Sequence, residues 1–147
     1  MASGARLNEV ERGAWVGFLR AHHVLVGELD EELRREHGLP LTSFDVLVQL
    51  DMAPDGQLRM SELADAVLLS RSGLTRLVDR LESQGLLRRE RCASDARGLF
   101  AEITDDGRAV FAEARRTHLD GVRRLFLEHF SRDELRQIAS LWERVGV

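Results

Sequence analysis

The chain has 147 residues, 44% hydrophobic and 31% charged, with a net charge of −4, the size and composition of one globular domain. No apolar run approaches the roughly 20 residues that cross a bilayer, and the opening MASGARLNEVERGAW lacks the apolar centre of a secretory leader; the expectation is a cytoplasmic protein with no membrane partner. The single cysteine, Cys92, excludes an internal disulfide and a zinc-finger ligand set.

From about Leu7 to Glu36, Leu7, Val10, Ala14, Phe18, Ala21, Leu25, Leu29 and Leu33 recur every three or four residues, which predicts one long amphipathic helix. His37-Gly38 and Pro40 end it. A second helix is expected over Ser43 to Met52, capped by Thr42, with Phe44, Leu47, Val48 and Leu50 apolar. Pro54-Asp55-Gly56 signals a turn, and a short strand is expected near Gln57 to Arg59. Ser61 is the expected cap of a third helix, with Leu63, Ala64 and Val67 inward. Ser70 is the expected cap of a fourth, where Leu74, Leu77, Val78 and Leu81 form a buried face and Gly85 ends the helix.

Two strands follow, Leu86 to Arg91 and Leu99 to Ile103, joined by the turn-rich Cys92-Ala93-Ser94-Asp95-Ala96-Arg97-Gly98. Thr104 caps another long helix, to about His129, with Asp105 and Asp106 complementing its dipole. Ser131 and Glu134 make a capping box for a last helix ending near Val145. The fold class is mainly α with a small β-wing: a winged helix-turn-helix (38–104) flanked by an N-terminal helix (1–37) and C-terminal helices (105–147). All of it forms a single domain over 1–147.

Charge is unevenly spread. Residues 71–97 hold seven arginines against four acids, a local excess of three that leaves −7 elsewhere. A basic patch on an acidic body fits a protein that meets DNA with one surface. Every cation is an arginine, whose planar fork suits phosphate and guanine. On a helical wheel, Ser72, Thr75, Arg76, Asp79 and Ser83 point away from the buried face of the fourth helix. Short polar side chains allow such a helix to enter a major groove roughly 12 Å wide. At the hairpin tip, Arg97 suits an adjacent minor groove and Asp95 can orient it. The candidate DNA contacts are Arg71, Ser72, Thr75, Arg76, Asp79, Asp95 and Arg97.

Met60-Ser61-Glu62-Leu63-Ala64, the run from Ser70 to Glu82, Gly85-Leu86, and Asp95-Ala96-Arg97-Gly98 through Ile103-Thr104 together resemble the multiple antibiotic resistance regulator (MarR) family. The resemblance covers nearly the whole chain. It implies a homodimer with interlocked first and last helices, a double-stranded pseudo-palindromic operator as partner, and usually repression. A small, often phenolic or anionic, effector that releases the DNA is implied as well. Carried over by position, Arg76 and Thr75 correspond to major-groove contacts and Arg97 to the minor-groove contact. The apolar residues of the terminal helices argue independently for pairing. Phe111, Leu119, Val122, Leu125, Phe126, Phe130, Ile138, Leu141, Trp142 and Val145, with Trp15 and Phe18, exceed what one small winged domain can cover.

Trp15, Phe18, His22, Phe44 and His118 are the candidate effector-pocket residues, although aromatics at helical spacing are more often core. The histidines His22, His23, His37, His118 and His129 do not form a metal-ligand pattern. No triad, phosphate loop or zinc-protease motif appears, so no enzyme activity, metal or cofactor is expected. Cys92 lies near Arg89 and Arg91, which would lower a thiol pKa. A redox- or metal-responsive regulator, or a winged module for protein–protein contact, are the alternative readings.

Overall fold

The computed structural model describes residues 6–67, 71–91 and 98–146. Helix α1 (Glu9–His37) is 29 residues long. Asn8 and Glu11 cap each other reciprocally, both bonds 2.9 Å, and Gly38 ends the helix in the left-handed region. Of its apolar stripe only Leu33 is fully buried.

Helix α2 (Leu41–Met52) starts earlier than expected, and Thr42 does not cap it. Pro40 stands at the cap and has no side-chain acceptor; Asp30 of α1 instead takes the Leu41 N–H at 2.8 Å. Arg34 steadies that carboxylate at 2.6 Å. Burial pushes the Asp30 pKa up, but the Leu41 and Arg34 bonds outweigh it and hold the carboxyl below its ordinary range. A 3₁₀ turn over Pro54–Gly56 leads into β1 (Gln57–Arg59) and α3 (Met60–Ala66). Ser61 lies inside α3 and is not its cap; the Glu62 carboxylate accepts the Arg59 N–H at 3.1 Å.

Helix α4 (Arg71–Ser83) ends at Gly85, φ 74°, and Leu86 N–H reaches back to the Leu81 carbonyl at 3.0 Å, a Schellman-type close. Strands β2 (Leu87–Arg91) and β3 (Leu99–Ile103) pair antiparallel, with Leu87 opposite Ile103. β1 adds to the other edge of β3, so the sheet order is β1-β3-β2. Helix α5 (Asp105–Leu125) begins on the expected Thr104 cap. It stops before His129, because the backbone leaves the helix at Phe126 and a 3₁₀ turn covers Leu127–His129. Helix α6 (Arg132–Val145) starts on the Ser131–Glu134 capping box.

One core joins these elements. Its buried members are Leu33 of α1, Phe44, Val46, Leu47 and Leu50 of α2, Leu63 and Ala64 of α3, the inner face of α4, and Leu87, Ala101 and Ile103 of the sheet. Phe111 belongs here too, 5.5 Å from Phe44 between ring centres, so it is not part of the surplus apolar surface of the terminal helices. Along the α1–α5 contact Gly121 permits close approach: a Cβ there would lie 2.8 Å from Leu29 Cδ2. Arg124 pairs with Glu32 across the same contact.

The tightest joint lies where α4 ends and α5 begins. Thr104 N–H donates to the Leu86 carbonyl at 3.1 Å, and its hydroxyl donates to the Gly85 carbonyl at 2.6 Å. The same hydroxyl accepts the Gly107 N–H at 3.0 Å. A Cβ on Gly107 would stand 1.9 Å from the Leu86 carbonyl oxygen, and backbone cannot yield as a side-chain end can. Gly107→Ala is therefore expected to destabilise the fold by about 2–3 kcal/mol, in the range of overpacked interiors. A lowered urea midpoint checks it, and an unchanged midpoint would show that α5 shifts freely.

Candidate nucleic-acid interface

Helix α4 divides cleanly. Leu74, Leu77, Val78 and Leu81 are buried, while Ser72, Thr75, Arg76, Asp79, Arg80 and Ser83 are exposed. The hydrophobic spacing thus turns a polar, arginine-bearing face outward from the winged unit. Ser83 is turned back on its own helix, its hydroxyl donating to the Arg80 carbonyl at 2.7 Å. The expected Ser70 cap, Cys92, Asp95 and Arg97, and the side chain of Arg71, lie outside the described residues.

The arginines of the patch fall into two sets. Arg88 is bound to Glu90 at 3.1 Å and to Glu102 at 3.0 Å on the sheet, and hydrogen bonding to Glu102 raises its pKa. Arg89 grips Glu82 with Nε at 2.8 Å and with its terminal nitrogen at 2.7 Å, and reaches Asp79 at 2.6 Å. Its pKa is raised, chiefly by the Glu82 bond. Arg76, Arg80 and Arg91 are exposed and form no ion pair among the described residues. Those three can exchange a hydration shell for phosphate or guanine at little cost. Arg80 was not singled out from the sequence, though its place one turn after Arg76 was the signal available. Asp79, expected at the DNA face, has its carboxylate on Arg89.

The five expected effector-pocket residues divide into two groups. His118 lies against Phe44, ring centres 4.7 Å apart. These two line a cleft of about 420 Å³ between α2 and α5, with Asp45, Val48, Asp51 and Arg115 among its other walls. Trp15, Phe18 and His22 follow one another along α1, and Phe18 meets Trp142 of α6 at 5.4 Å; none of them lines that cleft. His118 Nδ1 is buried with no hydrogen-bond partner among the described residues, and desolvation lowers the His118 pKa. His37 is occupied differently: its Nε2 is 2.7 Å from the Thr117 hydroxyl, which donates to Glu36 at 3.2 Å. Among the described residues no three histidine, cysteine or acidic side chains gather as a metal site would require. No helix among them is long and apolar enough to cross a membrane.

Sequence and structure both have known counterparts. The sequence model of the MarR family matches residues 37–98. The transcriptional regulator PecS of Dickeya dadantii is 29% identical over 139 residues, covering 93% of this chain and 82% of that protein. AbsC, a MarR family transcriptional regulator from Streptomyces coelicolor, superposes with a TM-score of 0.92 at 31% identity, over 97% of this chain and 95% of its own. Sco3205 from the same organism, a MarR family regulator solved in complex with DNA, gives 0.91 at 34% identity over 97% and 89%.

The His118 environment predicts a pH dependence. A base whose pKa is depressed by folding binds fewer protons folded than unfolded, so stability falls as pH drops from the unfolded value, near 6.5, toward the folded one. Urea unfolding between pH 7 and pH 5.5 should show this decline, and His118→Phe should flatten it. An equal slope in the variant would assign the titration to another group.

Proposed function

This chain belongs to the MarR family of transcriptional regulators, not of enzymes, and we propose that it acts as a homodimeric repressor of a pseudo-palindromic operator, relieved by a small effector. The observation that carries the DNA reading is the outward face of α4, where Arg76 and Arg80 stand exposed and unpaired among the described residues. Ser72, Thr75 and Arg76 enter the major groove, where arginine can take the O6/N7 edge of guanine. Arg71 meets the flanking backbone, and Asp79 stands at the rim. Arg97 at the hairpin tip reaches the adjacent minor groove, oriented by Asp95. Sco3205, 34% identical and solved in complex with DNA, supports the reading that this chain binds DNA.

Pairing is supported by apolar exposure. Of the fifteen exposed large hydrophobic side chains among the described residues, thirteen lie either on α1 with Leu7 before it or between Leu119 and Val145. Trp15 is 54%, Leu141 50% and Val145 72% exposed. Contiguous surface of that kind marks an interface, and a two-fold pair would cover it while setting two α4 helices about one DNA turn apart. Effector binding is assigned to the cleft at Phe44 and His118. Its aromatic walls, the exposed Arg115 guanidinium and the unpartnered His118 Nδ1 suit a flat aromatic ligand bearing an anionic or phenolic oxygen. Trp15, Phe18 and His22, at the opposite stretch of α1, are better assigned to pairing.

The decisive experiment offers the purified protein the DNA upstream of its own gene in a gel shift. Retention of an inverted repeat by a dimer is expected; a monomer in sedimentation, or indifference to every duplex at low salt, would overturn the reading. Arg97→Ala is expected to weaken operator binding by about 1–3 kcal/mol and to lower the salt slope by about one unit. Arg76→Ala should relax base preference at one position of each half-site, read by selection from a randomised duplex.

A further inference from the structure

Helix α4 carries its own obstacle to DNA binding. Asp79 and Glu82 are carboxylates on the helix placed in the groove, where they face a dense row of phosphates. Asp79 also stands three residues after Arg76, the spacing at which a helix pairs opposite charges along one face. Left alone, it would take the guanidinium needed for the duplex. The structure shows a different pairing: Asp79 is bonded to Arg89 at 2.6 Å, and Arg76 has no ion pair among the described residues. Arg89 holds Glu82 at the same time through two nitrogens, at 2.7 and 2.8 Å. Its backbone N–H reaches the other Glu82 oxygen at 3.3 Å, which fixes β2 against α4. Arg89 is the least exposed of the three side chains, 28% against 53% for Asp79 and 36% for Glu82.

The geometry points to Arg89 as a positioning residue for DNA recognition: by taking up Asp79 and Glu82 it keeps Arg76 free for the duplex and screens phosphate from two carboxylates. It touches no DNA itself and acts through Arg76. This rests on the DNA reading above. Arginine suits the task better than lysine, since its fork serves two carboxylates at once. Yet the essential quantity is charge, and that separates this role from simple scaffolding.

The test measures retention of the duplex that the wild-type protein selects, across a salt series, with thermal melts as a folding control. R89Q releases both carboxylates and is expected to lose about tenfold in affinity at low salt, its salt slope lowered by about one unit. D79N/R89Q, which removes one charge of each sign, is expected to recover to within about threefold of wild type and to regain the slope. R89K keeps the charge and is expected to bind within about threefold of wild type as well. R89Q binding like wild type overturns the inference. So does D79N/R89Q as weak as R89Q in a protein that melts normally. If R89Q melts too early to assay, R89K decides: a tenfold loss with a normal melt rejects the role. Wild-type protein retaining no duplex would remove the DNA reading and this inference with it, whereas a binding wild type with the wrong variant pattern removes the inference alone.

Discussion

The carbonyl of Leu86 is the point on which the arrangement turns. It accepts Thr104 N–H and lies so close to Gly107 that no Cβ fits between them. Leu86 is also the residue that closes α4, through its own N–H to Leu81. One residue therefore closes α4 with its N–H and seats the first turn of α5 with its carbonyl. The strands β2 and β3 leave from this joint and return to it, so the orientation of α4 is coupled to the axis of α5. The link between α4 and α5 at this joint is therefore backbone to backbone and not a deformable side-chain contact.

Electrostatics is organised by pairing more than by count. A chain of net charge −4 can bind a polyanion only if its cations and anions are sorted in space. The sheet does the sorting. Arg88 is absorbed by Glu90 and Glu102, and Arg89 by Asp79 and Glu82, which leaves Arg76, Arg80 and Arg91 outward. Exposed pairs of this type add little stability in themselves. Their consequence is in deciding which arginines have a free fork.

Much of this was legible in the residues. The four-residue periodicity of Leu74, Leu77, Val78 and Leu81 gave the correct buried face of α4, and Gly85, Thr104 and Ser131 marked helix ends that the structure shares. These are local signals, made by residues within one turn of the feature they set. The failures were tertiary. Thr42 read as a cap because nothing in the nearby sequence shows that Asp30, eleven residues back, takes the Leu41 N–H. Ser61 is the exception, a local misreading: it lies inside α3, and the neighbouring Glu62 accepts the Arg59 N–H at the start of the helix. Phe111 reads as surplus on a terminal helix because nothing near it in the sequence shows that Phe44 faces it. The candidate effector residues read alike by type, yet α1 sets Phe18 against Trp142 of α6, with Trp15 and His22 beside it, and none of the three lines the cleft. Likewise the basic count of residues 71–97 contained Arg88 and Arg89 without showing that both are spoken for.

The C-terminal end of α1 has a mechanical consequence. Within its last two turns Asp30 holds the start of α2, and Glu36 and His37 meet Thr117 on α5. Three bonds to two different helices fix the height of α1 along its own axis. A slip of even one residue, about 1.5 Å, would break all of them together. Above this foot the rod meets α6 through ring packing, Phe18 on Trp142, so it is the hydrogen bonds of the foot that oppose a piston motion of α1.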